Sequence, residues 1–324
     1  MARICLNHHN ADLYGKAFPH HYVRRNASHI SSMSVRMDTN RDKIIAGIIA
    51  LVLIVLAFSS SQAAGQKDGL LKIYFLNVGQ GDAIFIEAPN GNQVLVDGGP
   101  DSAVIAELAR VMPFYDRSID AVVVSHPHSD HIAGLIDVLK HYDVGYVIQA
   151  GEQYDSLEFR SWQEAVAQEH TIEIDAVAGK KINLGPEMTL TIIHPLKSVL
   201  GTATDKPHDD NVVAMLQYKH VKVLLAGDME AAVERILVNN NIDIDADVLK
   251  VGHHGSKTST ALPFLDAVTP QAAVIQVGVK NRYKHPAELI LSRLENFGAT
   301  LYRTDTDGMI RLISDGTSYY LNKQ

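Results

Sequence analysis

The chain has 324 residues, 46% of them apolar, and a formal net charge of −8. Its first 64 residues hold seven basic and three acidic side chains, so residues 65–324 carry −12, which excludes a protein that grips nucleic acid through a generally basic surface. The single cysteine, Cys5, excludes a disulfide framework and leaves residues 65–324 with neither a thiolate nucleophile nor a thiolate metal site.

Residues 1–43 are polar and spotted with histidines (His8, His9, His20, His21, His29). They read as disordered, or as the product of a misplaced start, with Met33 or Met37 opening a more ordinary leader. Ile44 to Phe58 is an unbroken apolar run of 15 residues preceded by Arg41 and Lys43. It falls short of the roughly 20 residues that span a bilayer comfortably. With Ser61-Gln62-Ala63 behind it as a small-x-small cleavage site, residues 44–64 match a signal peptide, and an uncleaved membrane anchor is the alternative. Either reading places the globular part outside the cytoplasmic membrane, released or anchored to its outer face.

From Leu71 onward, short apolar runs alternate with turn chemistry. Strands are predicted at 71–78, 83–87 and 93–97, with turns at Gly79–Gly81 and Asn90-Gly91. A helix follows at 103–112, then a short buried strand at 121–125 and a helix from about 132 to 140. Further strands are predicted at 145–149, 190–194, 212–217, 221–226, 248–251, 273–277, 300–303 and 309–313, and helices at 230–238, 262–266 and 287–296. That order favours one α/β domain over residues 65–324, with sheets covered by helices on their outer faces.

The segment His126-Pro127-His128-Ser129-Asp130-His131 follows a buried strand and opens a helix. Residues two apart in extended backbone point the same way, so His126 and His128 can converge on one cation. Asp130 and His131 stand where the backbone turns and can reach a second. Imidazole with carboxylate suits zinc, or manganese in a more oxygen-rich shell. Asp228 ends the apolar run Leu224-Leu225-Ala226-Gly227 and is expected to bridge the two cations; capping the next helix is the lesser alternative, and one residue can do both. His253-His254 follows another strand. One of the pair closes the second cation's shell and the other faces substrate, with His254 favoured as ligand and His253 as the catalytic partner of Asp130. Asp97, at a strand end before Gly98-Gly99, reads as an acid that orients a ligand histidine, or as a turn residue.

His-x-His-x-Asp-His, a later Gly-Asp and a later His resemble the motifs of the metallo-β-lactamase superfamily. The finer resemblance is to the hydrolase domain of ComEC-type DNA-uptake proteins. It rests on Phe75-Leu76-Asn77-Val78-Gly79-Gln80-Gly81-Asp82-Ala83, Val251-Gly252-His253-His254-Gly255-Ser256-Lys257-Thr258-Ser259-Thr260, Gly278-Val279-Lys280-Asn281-Arg282-Tyr283-Lys284-His285-Pro286 and Arg303-Thr304-Asp305-Thr306-Asp307-Gly308. It covers about Leu71 to Leu321. The chain departs from that pattern at Asn77, where the family has aspartate, and at Ala214 and Gln276, where it has serine. The superfamily's middle metal histidine finds no clear counterpart; His208, Asp209 and Asp210 lie nearby without support from the resemblance, so the first metal is expected to keep an extra water.

The resemblance implies an αββα sandwich of two mixed sheets. It also implies a hydrolase that holds two divalent cations, zinc or manganese, around a bridging hydroxide, with Ser256, Lys257, Asn281 and His285 meeting the substrate. DNA is the expected substrate. A small phosphodiester, lactone or lactam is the alternative, and a non-catalytic DNA-handling accessory protein the third reading. A nuclease requires a basic patch beside the metals, whereas a small-ester enzyme requires a narrow apolar pocket. No partner protein can be read from the sequence.

Overall fold

The computed structural model describes residues 68–169 and 171–324, so the leader and its cleavage site lie outside the described residues. Among the described residues, no helix is long and apolar enough to cross a membrane. The first sheet contains β1 (Leu71–Phe75), β2 (Ile84–Glu87), β3 (Gln93–Val96), β4 (Ser118–Val123), β5 (Asp143–Gln149), β6 (Ile172–Asp175), β14 (Ile310–Ser314) and β15 (Tyr319–Lys323). Its order is β15-β14-β1-β2-β3-β4-β5-β6, with β3 to β6 parallel and the remaining pairs antiparallel. The second contains β7 (Lys181–Gly185), β8 (Met188–His194), β9 (Val213–Tyr218), β10 (Val221–Leu225), β11 (Val248–Lys250), β12 (Ala272–Ile275) and β13 (Thr300–Arg303), in the order β13-β12-β11-β10-β9-β8-β7. Here β10 to β13 run parallel.

The period-2 pleat sorts the side chains into layers. Ile73, Phe75, Ile84, Ile86, Val94 and Val96 pack between the sheets against Leu190, Ile192, Leu216, Val223, Leu225 and Val274. Their neighbours Tyr74, Phe85 and Leu95 point outward, where α1 (Ala103–Val111), α2 (Ser129–His141) and α3 (Leu157–Gln168) cover them with Leu108, Leu135, Val138 and Trp162. The far face of the second sheet is covered in the same way by α4 (Ala231–Asn239), α5 (Leu262–Val268) and α6 (Glu288–Phe297), through Val233, Leu237, Phe264, Leu265, Ile290 and Leu294. A single turn, α7 (Thr304–Asp307), links β13 to β14. The result is the αββα sandwich that the sequence led us to expect.

Residues 150–189, left without elements by the sequence, hold α3, β6 and β7, and β15 was also missed. The apolar stripe of α3 is only Phe159, Trp162 and Val166 in an otherwise polar stretch. β6, β7 and β15 are sheet edges with largely uncovered side chains, so they lack the hydrophobic alternation of a half-buried strand. The first strand also ends earlier than its apolar pattern. Leu76 N–H donates to Ala83 O at 2.9 Å and closes a loop that carries Asn77 to Asp82 over the end of the sandwich.

Candidate metal centre

The parallel strands β3, β4, β10, β11 and β12 all deliver chain to one end of the sandwich, outside their carboxyl ends, where α/β sheets bind ligands. The seam between the two sheets opens there. Each sheet supplies half of a histidine–carboxylate cluster.

From the first sheet, β4 leads into Ser125 and His126. Ser125 N–H donates to Asp97 Oδ1 at 2.8 Å, and Ser125 Oγ lies 3.0 Å from His126 Nδ1. That contact leaves His126 Nε2 facing His128 Nδ1 at 2.9 Å. His128 is the N-cap residue of α2 and Asp130 lies in its first turn, where a carboxylate favours the helix dipole. His131, fully buried, has its Nδ1 2.8 Å from Asp97 Oδ2. Asp97 makes this contact from a backbone with φ 58.

From the second sheet, β10 ends at Gly227-Asp228. Asp228 N–H donates to Asn211 Oδ1 at 2.9 Å. Gly227 has φ 52, and a Cβ there would lie 2.5 Å from Asn211 Oδ1 and 2.8 Å from Ser125 Cβ, so only glycine lets this strand end approach. Asp228 does not cap α4; Glu230 holds that position. After β11, His253 and His254 both take left-handed backbone, with φ 47 and 52. The turn splits their side chains. His254 is buried, with Nδ1 2.9 Å from Gln276 O, whereas His253 is partly open, with Nδ1 2.9 Å from Glu230 Oε1.

The structure also brings in His208, for which the sequence offered no support. Its Nε2 stands 3.1 Å from His128 Nδ1 and 3.8 Å from Asp228 Oδ2. Three imidazole nitrogens, from His126, His128 and His208, therefore converge within 4.8 Å of one another. The available signal was position, since His208 lies just upstream of the buried strand β9, with Asn211 tying that strand's entry to Asp228.

These residues fit divalent cations. Three imidazole nitrogens facing one another cannot all be satisfied by each other's protons, and a shared cation satisfies them together. On the other side, His131 Nε2, His254 Nε2 and Asp228 Oδ1 are buried without a hydrogen-bond partner. Asp130 Oδ2 is 3.5 Å from His254 Nε2, and Asp228 is 3.4 Å from His131 Nε2 through Oδ2 and 3.4 Å from His254 Nε2 through Oδ1. One set is His126, His128 and His208, the other is Asp130, His131 and His254, and Asp228 stands between them.

The electrostatics divide the sets along the same line. Burial, then the neighbouring imidazoles, hold His126 well below its ordinary range and His128 at about 4, and burial lowers His208 as well. These rings are neutral at neutral pH, the state in which imidazole binds metal. Burial acts in the same direction on His131 and His254, but Asp228 with Asp97, and Asp228 with Asp82, overcome it and raise both. Asp130 falls to about 2, because contacts with His254 and His131 outweigh its burial. Behind His254, Asp82 is paired at 2.6 Å with Lys250, a fully buried lysine that the sequence did not single out.

Above the cluster opens a polar cavity of about 400 Å³, lined among others by His128, Asp130, Tyr154, Glu158, Arg282 and His285. Of the four residues expected to meet substrate, only His285 lines it. Asn281 instead organises its own loop, donating to Gly278 O and His285 O and accepting from His285 N–H. Ser256 Oγ is engaged with Thr258 Oγ1 at 2.8 Å, and Lys257 is exposed and does not line the cavity. The departures from the family pattern lie elsewhere than the cavity lining. Ala214 packs between the sheets, and Gln276 donates to Leu76 O and Ala83 O, bracing the 76–83 loop.

Residues 76–279 match the family described as the metallo-beta-lactamase superfamily. The chain is 28% identical over 289 residues to ComE operon protein 3 of Bacillus subtilis, covering 83% of this chain and 35% of that one. It is 30% identical over 272 residues to Recombination protein 2 of Haemophilus influenzae, covering 82% and 31%. The chain therefore spans about a third of the length of these relatives. Among solved structures it resembles CmlA, a diiron β-hydroxylase from Streptomyces venezuelae, with a TM-score of 0.51, 14% identity and coverage of 75% of this chain and 54% of that one, a likeness of fold alone.

Proposed function

The chain belongs to the metallo-β-lactamase superfamily, and from that premise we propose that it is an exported, metal-dependent phosphodiesterase that cuts DNA, holding two zinc or manganese ions. The observation that carries this reading is Asp228, standing between two ligand sets at the floor of a polar cavity. Bound divalent cations supply Lewis acidity and lower the pKa of water. The chain's own residues do the rest. His126, His128 and His208 would hold one cation and Asp130, His131 and His254 the other, with Asp228 between the two sets. His253 turns Nε2 toward the cluster from the cavity side, where its lone pair can accept a proton from the attacking water and pass it to the departing oxygen.

The cavity rim supports a phosphate substrate. Arg282 is exposed on it, 4.8 Å from the ring of Tyr283, and Tyr154 also lines the cavity, against His128. An arginine for phosphate with aromatic rings for bases is the chemistry of nucleic-acid strand binding. A lactam or lactone enzyme calls for an apolar pocket, whereas every residue lining this one carries a polar or charged group. The name of one relative, a recombination protein, fits a role with DNA, and export rests on the apolar leader Ile44–Phe58.

The volume favours a second reading, a small phosphodiester, because about 400 Å³ lies in the ordinary range of small-ligand pockets and is too little for a duplex. Purified protein loaded with zinc or manganese is tested on single-stranded DNA, bis-p-nitrophenyl phosphate and nitrocefin. Cleavage of both phosphodiesters and not of nitrocefin is expected. Activity on bis-p-nitrophenyl phosphate without DNA cleavage transfers the assignment to the second reading, and nitrocefin turnover alone overturns both.

A further inference from the structure

One carboxylate at the entrance of α4 reaches two histidines at once. Glu230 Oε1 is 2.9 Å from His253 Nδ1 and 3.6 Å from His208 Nδ1, and it accepts from Thr258 Oγ1 at 2.8 Å. The opposite nitrogen of each ring, Nε2, is 3.8 Å from Asp228 Oδ2 in both cases. His208 and His253 are themselves ring neighbours, with centroids 4.4 Å apart.

We propose that Glu230 is a positioning residue that sets the tautomer and the aim of both His208 and His253, placing the hydrogen on Nδ1 of each ring and leaving each Nε2 lone pair directed at the cluster. The proposal rests on the metal-centre reading above and extends it to a residue outside either ligand set. An imidazole can present Nε2 to a cation or a proton only when its hydrogen sits on Nδ1, and an anionic acceptor beside Nδ1 fixes that choice. His126 obtains a related restraint from Ser125 Oγ, His131 from Asp97 and His254 from Gln276 O. His253 has a hydrogen bond with Glu230, and His208 has the same carboxylate beside its Nδ1 at the longer distance of 3.6 Å.

The loop that carries His253 is held independently of this contact. Glu234, one turn further along α4, accepts from the backbone N–H of Thr260 and of Ala261, and Ser259 Oγ donates to Gly252 O at 2.8 Å. Removing the Glu230 carboxylate therefore frees two rings without releasing the loop.

The experiment compares wild type, Glu230→Gln and Glu230→Ala by nitrogen-15 imidazole NMR on the metal-free proteins at neutral pH and by zinc titration calorimetry. In wild type both rings are expected as the Nδ1–H tautomer. Glu230→Gln keeps an amide oxygen that can accept from His253 and should keep that ring's tautomer, whereas Glu230→Ala should lose it for both. Zinc affinity of the His208 set should fall roughly 10–100-fold in Glu230→Ala, the usual effect of removing a carboxylate behind a ligand histidine. Wild-type rings already in the Nε2–H form, or tautomers and zinc affinity unchanged in Glu230→Ala, overturn the proposal. The NMR readout needs neither metal nor turnover, so a wild type that cleaves no DNA would count against the proposed function and leave this test intact.

Discussion

Asn211 accepts the backbone N–H of Asp228 through Oδ1 at 2.9 Å and donates through Nδ2 to Ala226 O at 2.9 Å, so one fully buried amide fastens the end of β10 to the loop that delivers His208. Replacing it with alanine leaves a buried donor and a buried acceptor without partners. Asn211→Ala is expected to lose about 2 kcal/mol of stability, within the range for such groups, and to bind less metal. Urea unfolding and elemental analysis read the two effects. An alanine variant with wild-type stability and metal content would show that the amide is dispensable.

Asp228→Ala should remove the group shared by both ligand sets while leaving the sheets in place. Metal content and activity are expected to fall together, with an unchanged far-ultraviolet circular dichroism spectrum. Two equivalents of metal still bound to the variant would refute the bridging assignment.

Metal removal should lower thermal stability. A ligand that binds only the folded state adds about 4 kcal/mol when present at roughly a thousand times its Kd. Chelation is therefore expected to lower Tm by several degrees, and the shift should reverse on adding back zinc. A Tm indifferent to chelator would mean that the cluster holds no cation tightly.

Glu152 offers a prediction about pH. It is buried, its Oε1 has no hydrogen-bond partner, and burial, reinforced by Asp210, raises its pKa to about 7. The folded protein therefore holds this proton more tightly than the unfolded chain. The associated stabilisation is complete below the unfolded value near 4.5 and is lost as pH rises through about 7. Glu152→Gln is neutral at every pH and should escape that loss. Relative to wild type it should gain stability between pH 5 and pH 8, by up to about 3 kcal/mol, the free energy of a shift of this size. Urea unfolding at both pH values measures the difference, and a gap that does not change with pH contradicts the prediction.

The loop carrying Lys280, Arg282 and Lys284 supplies the positive charge beside the cavity, and all three are exposed. If DNA is the substrate, replacing all three with alanine should raise KM for DNA and flatten the dependence of binding on salt, by about two units of log–log slope for single-stranded DNA. Turnover of bis-p-nitrophenyl phosphate should change little. Equal losses on both substrates would assign the cluster to support of the fold.

Much of this site was legible because its residues sit where strands end. His126, Asp97, Asp228 and His254 each follow an apolar run, and the pattern of the run predicts the place of the side chain. His208 was not legible, because it reaches the cluster through a loop whose course is set by Asn211 and not by any local period. Lys250 was hidden for another reason. A lysine at the end of a buried strand looks like a boundary until its partner, Asp82, is seen to come from the other sheet. Ser256, Lys257 and Asn281 stand near the ligands in sequence, and local hydrogen bonding or solvent takes each away from the cavity. The edge strands β6, β7 and β15 depend on partners far along the chain, which composition does not reveal.

The division of the cluster across the seam has a consequence for how the protein is made. His126 to His131 emerge from the ribosome well before His208, Asp228 and His254, and belong to a different sheet. A nascent chain thus displays an incomplete set of donors, capable of only a loose grip on any ion. The full donor set exists only once both sheets have been made and have closed on each other, so any cation held by all of it would enter a folded molecule and not a growing chain.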